Sequence, residues 1–271
     1  MAIVIPDKPS TPLSGVLAYN WLLHGWPKTG KTQLASQFPR PIFLQTQVGT
    51  KSMSVFGVPV TNWDECCEFL TELEAKTDRF DTVVVDTAER LYDFLCEQVA
   101  SDHNVDNISS MKYGSGWAEV QKRMTAYLEI LAQLKKCVVL ISHTRTIKDD
   151  SGAVEIDRVV PNLGDSARKI VVGWVDVCLY TAIRHPKQKK GGDKTEEEQE
   201  DEFIAVCRPR PGVEAGGRLR YLPPEILLSP TPADGYARLA AAVDESCERQ
   251  LAELRGSSPA ETPKRSSKKG K

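Results

Sequence analysis

Short apolar runs alternate with amphipathic stretches along most of the chain. "LAYNWLLH" (17–24) ends at Gly25, "DTVVVD" (81–86) ends in an acid, and "CVVLISH" (137–143) ends in a histidine. Runs this short and this continuously apolar predict strands buried on both faces. "PIFLQTQ" (41–47), "VFGVPV" (55–60) and "FIAVCR" (203–208) are further strands by the same pattern. Between them the period changes. "TQLASQF" is helical and is stopped by Pro39 and Pro41. "WDECCEFLTELEAKTD" (63–78) carries apolar residues at three- and four-residue spacings, and helices are expected near 88–101 and from Trp117 to Lys135. "IVVGWVDVCLYTAI" (170–183) ends one helix and forms a further strand. Strands alternating with helices predict an α/β fold, a mostly parallel sheet with helices on both faces.

The polar segments set the boundaries. Residues 1–15 read as a loose arm, 16–230 as the core and 231–255 as a C-terminal helix. "GSSPAETPKRSSKKGK" (256–271) reads as a basic disordered tail. Inside the core, 187–202 is a charge-segregated flexible insert, 101–116 a polar loop and 144–158 a mobile loop.

Composition narrows the function classes. The net charge is −2, so attraction to nucleic acid has to come from local patches. Seven cysteines without a CxxC pair read as reduced intracellular thiols. The N-terminus lacks the basic and apolar regions of a signal peptide, and no stretch approaches the ~18 apolar residues of a membrane span. The expectation is a soluble, cytoplasmic protein without a membrane partner.

The chemistry starts at Gly25-Trp26-Pro27-Lys28-Thr29-Gly30-Lys31-Thr32, followed by Gln33, which fits G-x-x-x-x-G-K-[ST] without a mismatch. Glycines let successive backbone N–H groups turn inward around phosphate oxygens, and the next helix aims its positive end at the same anion. Lys31 is expected on the β- and γ-phosphates and Thr32 on Mg²⁺. Lys28 reads equally as a phosphate contact and as a solvated charge. Asp86, at the end of an apolar strand, is the candidate Mg²⁺-orienting carboxylate. The runs at 41–47 and 55–60 leave room for at least one strand between cradle and carboxylate. That arrangement belongs to RecA-like and AAA-type ATPases rather than to kinases and small GTPases. No "NKxD"-like guanine reader is present, which favours ATP.

"WLLHGWPKTGKTQLA", "PIFLQTQVGT", "DTVVVDTAERL", "KYGSGWAEVQKR", "VVLISHTR" and "VVPNLGDSARKIVVGWVDVCLY" come in an order that resembles phage-encoded RecA-like P-loop ATPases, the AAA-domain nucleotide-binding family that includes single-strand-annealing recombinases. The resemblance covers about residues 15–230. It implies a RecA-like P-loop NTPase core, bound ATP and Mg²⁺, and DNA recombination or annealing in a host cytoplasm. It implies that His143 senses the γ-phosphate and that the loop after it, with Arg145, Lys148 and Arg158, contacts single-stranded DNA. The plainer alternative is a strand-end histidine and a solvated loop. Many relatives carry an acid after the second strand to polarise the attacking water; Gln47 stands there, and glutamine cannot accept a proton. Glu65, just after the next strand, is the candidate replacement, with a helix first-turn acid as the alternative. Arg218 or Arg220 is a candidate trans arginine finger, or else a surface arginine before a turn. A finger makes the active species an oligomer, ring or filament.

Two readings of function follow. The first is an ATP-binding protein acting on single-stranded DNA, with a single-strand-binding protein as a further partner. The second is a nucleotide-dependent assembly or regulatory module that hydrolyses weakly and does not bind DNA. Gln47 favours the second; the three loop cations and the basic tail favour the first. A metabolic kinase comes third, because no acceptor lid or dedicated base is visible.

Overall fold

The computed structural model describes residues 7, 11–47, 49–149, 156–185, 201–229 and 234–256. Most of the expected arm, the charged insert as far as residue 200 and the tail from residue 257 lie outside them. In chain order the elements are β1 (Trp21–Gly25), α1 (Lys31–Ser36), β2 (Pro41–Gln45), β3 (Phe56–Pro59), α2 (Trp63–Glu74), β4 (Thr82–Asp86), α3 (Ala88–Asp102), α4 (Ser115–Gln133), β5 (Cys137–Ser142), β6 (Thr144–Asp149), β7 (Ile156–Pro161), α5 (Asp165–Trp174), β8 (Val177–Arg184), β9 (Glu202–Val206), β10 (Gly216–Gly217), β11 (Glu225–Ser229) and α6 (Gly235–Leu254).

The main sheet runs β11-β9-β8-β1-β5-β4-β2-β3, with β10 paired to β8. From β8 to β3 every pairing is parallel, and β9, β10 and β11 extend it antiparallel. This is the strand order of a RecA-like P-loop core, in which one strand separates the cradle strand from the carboxylate strand. That strand is β5, which follows both in the chain. β2 and β3 lie beyond β4, so the room noted between residues 41 and 60 is filled elsewhere.

Alternation along the central strands feeds two apolar layers. Leu22, Val83, Val85, Val138 and Leu140 point to one face, under α2, α3, α4 and α5. Trp21, Leu23, Val84, Val139 and Ile141 point to the other, under α1 and α6. Burial on both faces is why these strands read as unbroken apolar runs. Truncating one of the fully buried leucines, Leu22 or Leu23, would cost about 2–5 kcal/mol.

Three differences from the sequence reading stand out. Within the expected loop 144–158, the described residues form strands: β6 and β7 make an antiparallel ribbon in register from Thr144↔Pro161 to Asp149↔Ile156, and residues 150–155 lie outside the described residues. β3 is an exposed edge strand throughout. β10 and β11 are strands that the apolar pattern does not mark, being short and mixed in polarity.

Candidate functional site

Parallel register brings the C-terminal ends of the central strands to one edge. His24 pairs with Ser142, Gly25 with Thr181, and Asp86 with both Gln45 and Ile141. From Gly25 the chain turns through the cradle into α1. A Cβ on Gly25 would lie 2.4 Å from the Thr181 carbonyl oxygen, so only glycine fits against β8. Lys28 and Gly30 hold positive φ angles of 66° and 80°, the second at the N-cap of α1. The Thr29 hydroxyl donates to the Trp26 carbonyl at 2.9 Å and lies 2.9 Å from the Thr181 hydroxyl, pinning the loop to β8.

Lys31 opens α1 and is buried. Its Nζ donates to the carbonyls of Gly25 (2.8 Å) and Trp26 (2.9 Å), folding the side chain back over the loop. Burial draws its ammonium down to about 8, against the attraction of Asp86 and Glu89. The Thr32 hydroxyl donates to Asp86 Oδ2 at 2.8 Å. Burial raises the Asp86 carboxyl above its ordinary value; Thr32, Lys31 and His143 oppose that, and Glu89 adds to it. These groups open on a cavity of about 400 Å³, lined by Pro27, Lys28, Gly30, Lys31, Thr32, Gln33, Asp86, Thr87 and His143 among others.

The donor set fits a nucleotide triphosphate with Mg²⁺. Cradle N–H groups and Lys31 suit phosphate, and Thr32 with Asp86 supplies the two oxygens a Mg²⁺ ion usually takes from protein before phosphate and water complete its shell. Among the described residues no group of three or more His, Cys, Asp or Glu side chains could hold a metal by itself.

The remaining expected site residues fall in different places. His143 lines the cavity, as expected, at the end of a strand neighbouring β4. Its backbone N–H donates to Glu89 Oε1 at 3.0 Å, and its Nδ1 lies 2.5 Å from the same oxygen. Gln47 is exposed, its N–H bonded to the Asp86 carbonyl at 3.3 Å.

Glu65 is elsewhere, which overturns its reading as the water-polarising acid. Its backbone N–H donates to the Asn62 side chain at 2.9 Å, while its Oε2 accepts from the Thr61 N–H at 2.6 Å, a reciprocal cap at the start of α2. It lines a separate apolar groove with Phe69 and Phe80, beside the edge strand β3 and two strands out from β4. The alternative, a first-turn helix acid, is what the geometry shows.

Arg218 bonds Asp176 Oδ1 at 2.5 Å, next to the start of β8 and so at the opposite end of the sheet from this chain's own cradle. Arg220 pairs with Glu253 at 3.1 Å. The ribbon cations are all ion-paired: Arg145 with Asp165 (2.9 Å), Lys148 with Asp157 (3.6 Å), and Arg158 with Asp149 (3.3 Å) and Glu214 (3.7 Å). Cross-strand register puts Arg145 and Arg158 on one face of the ribbon and Lys148 on the other, so they do not form one surface.

Two further residues have no counterpart among the expected site residues: Glu89, in the first turn of α3, and His24, inside β1. His24 is fully buried, with Nδ1 2.8 Å from the Thr144 hydroxyl and Nε2 2.6 Å from the Glu214 carbonyl, linking the cradle strand to the ribbon.

A family model described as "AAA domain" matches residues 18–219. A KaiC-like protein from the hyperthermophilic archaeon Pyrococcus horikoshii is similar in structure, with a TM-score of 0.43 at 10% identity, covering 80% of this chain and 88% of that one. No curated protein matches the chain. Among the described residues no helix is long and apolar enough to cross a membrane.

Proposed function

Because the chain belongs to the AAA domain family, matched over three-quarters of its length, we propose that this nucleotide-binding, RecA-like protein binds ATP with Mg²⁺ and acts on single-stranded DNA in phage recombination or annealing. The observation that carries the nucleotide part is the Thr32–Asp86 hydrogen bond beside Lys31 at the mouth of the cavity. Gly25–Gln33 would wrap the phosphates and Lys31 would exchange its two carbonyl partners for phosphate oxygens. Thr32 and Asp86 would hold the ion, and His143 would meet the terminal phosphate. Bound Mg²⁺ would neutralise charge on the phosphate oxygens. The ribbon beginning at Thr144, directly after His143, is the element that would carry the nucleotide state to DNA. A ring or filament follows if Arg218 reaches a neighbouring subunit's cavity.

The ion pairs of Arg145, Lys148 and Arg158 favour a second reading, a nucleotide-dependent assembly or regulatory module without DNA contact. Single-stranded DNA binding by wild type and Lys31→Ala, with ATP, with a non-hydrolysable analogue and without nucleotide, tests the first reading. It predicts nucleotide-dependent binding by the wild type that Lys31→Ala loses. Absence of DNA binding under every condition at low salt overturns the DNA part, and absence of ATP binding overturns the whole.

A further inference from the structure

Hydrolysis needs a group that takes a proton from the attacking water, and neither position expected to supply it does so. Gln47 cannot accept the proton, and Glu65 caps α2 beside a different groove. Among the described residues Asp86 is the only acid lining the nucleotide cavity, and its Oδ2 is engaged by Thr32. Glu89 follows three residues later in the chain, in the first turn of α3. It and Asp86 are the two carboxylates whose charges bear on Lys31, and Glu89 bears on Asp86 as well.

The state of its two oxygens is unequal. Oε1 accepts from the backbone and the imidazole of His143. Oε2 is buried and has no hydrogen-bond partner, and neither has the Thr87 hydroxyl two residues before it. An unmade bond to a buried carboxylate oxygen is costly, and such an oxygen is a natural acceptor for a water or another donor that reaches it. Thr87 and His143, which flank Glu89, both line the cavity. The His143 side chain is one-third exposed, and the Glu89 side chain beneath it 12% exposed.

We propose that Glu89 is the catalytic carboxylate of ATP hydrolysis, positioned through its Oε1 by His143. This rests on the ATP-binding reading above. In the step, Glu89 Oε2 accepts a proton from water as the water oxygen bonds to the γ-phosphorus. The bond from that phosphorus to the β,γ-bridging oxygen breaks, and its electron pair leaves on ADP. The hydroxyl-bearing phosphate departs, and Glu89 returns its proton to solvent. His143 is a positioning residue: its backbone N–H and its Nδ1 hold Glu89 Oε1, which leaves Oε2 for the water.

The test compares wild type, Glu89→Gln and Glu65→Gln for ATP affinity and for steady-state phosphate release, with and without single-stranded DNA. Glutamine keeps an acceptor for His143, so a purely structural Glu89 would leave turnover unchanged. The expected result is a fall in kcat of about 100-fold or more for Glu89→Gln, with ATP Kd within about threefold and an unchanged melting curve. Glu65→Gln should turn over like the wild type. Wild-type turnover in Glu89→Gln overturns the proposal. A wild type that binds ATP but releases no phosphate under any condition also overturns it, while leaving the ATP-binding reading in place; a wild type that binds no ATP removes that reading itself. Should Glu89→Gln fail to fold, Glu89→Asp decides: a carboxylate one methylene short should lower kcat about tenfold or more at unchanged Kd, and unchanged kcat overturns the assignment.

Discussion

The imidazole of His24 lies 2.8 Å from the hydroxyl of Thr144, joining the strand that delivers the cradle to the first residue of the ribbon. On its other side the ring meets the Glu214 carbonyl at 2.6 Å, and the Glu214 carboxylate in turn pairs with Arg158 and Arg168. Cradle and ribbon are therefore tied through one buried ring, in the residue just before Gly25.

That ring predicts a pH dependence of stability. Burial holds the His24 imidazole down to about 4, against about 6.5 in an unfolded chain. Between those values the unfolded chain binds a proton that the folded one refuses. The stability is fully present above about pH 6.5, falls as pH drops through that window and levels off below about 4. The loss from this residue by pH 5 is on the order of 2 kcal/mol. Urea midpoints of wild type and His24→Gln between pH 7 and 4.5 should converge as pH falls; parallel curves would remove His24 as the source.

The ribbon cations make a graded prediction. If single-stranded DNA binds here, Arg158→Ala should weaken it several-fold and reduce the slope of log affinity against log salt by about 0.7, the value of one phosphate contact on a single strand. An unchanged slope would mean that the ion pairs with Asp149 and Glu214 persist and that the DNA surface lies elsewhere.

Gly25→Ala tests the packing of the cradle on β8. The new Cβ would meet both the carbonyl and the hydroxyl oxygen of Thr181 at 2.4 Å. Overpacking of this kind costs about 1–3 kcal/mol. Because the displaced backbone is the cradle itself, ATP affinity should fall along with the melting temperature. A lower melting temperature with unchanged affinity would show that the loop absorbs the shift.

What could be read from the sequence divides along the range of the forces involved. The cradle was legible because its logic is local: glycines for the turn, a lysine and a threonine at fixed offsets, a strand before and a helix after. Asp86 was legible because a double-faced apolar strand ending in an acid is a pattern of a few residues. Glu89 was not, because its meaning depends on β5 sliding between β1 and β4 and bringing His143 above it, a juxtaposition of residues 54 positions apart. Glu65 misled for the mirrored reason: a helix cap and a catalytic acid look alike until the strand order is known. The ribbon at 144–161 was missed because charged residues alternate on both of its faces, which leaves no apolar period to detect.

The parallel centre of the sheet has a further use. β1 is bonded on one side to β5 and on the other to β8, and all five of its residues are buried. Its amides should take up deuterium only through global unfolding, whereas the bare edge at β3 labels through local fraying. In a mass-spectrometric exchange map, Trp21–Gly25 is therefore an internal reference. Slowing at Trp26–Thr32 against that constant background would report occupancy of the cradle, while slowing shared by β1 would report a change in the stability of the whole protein.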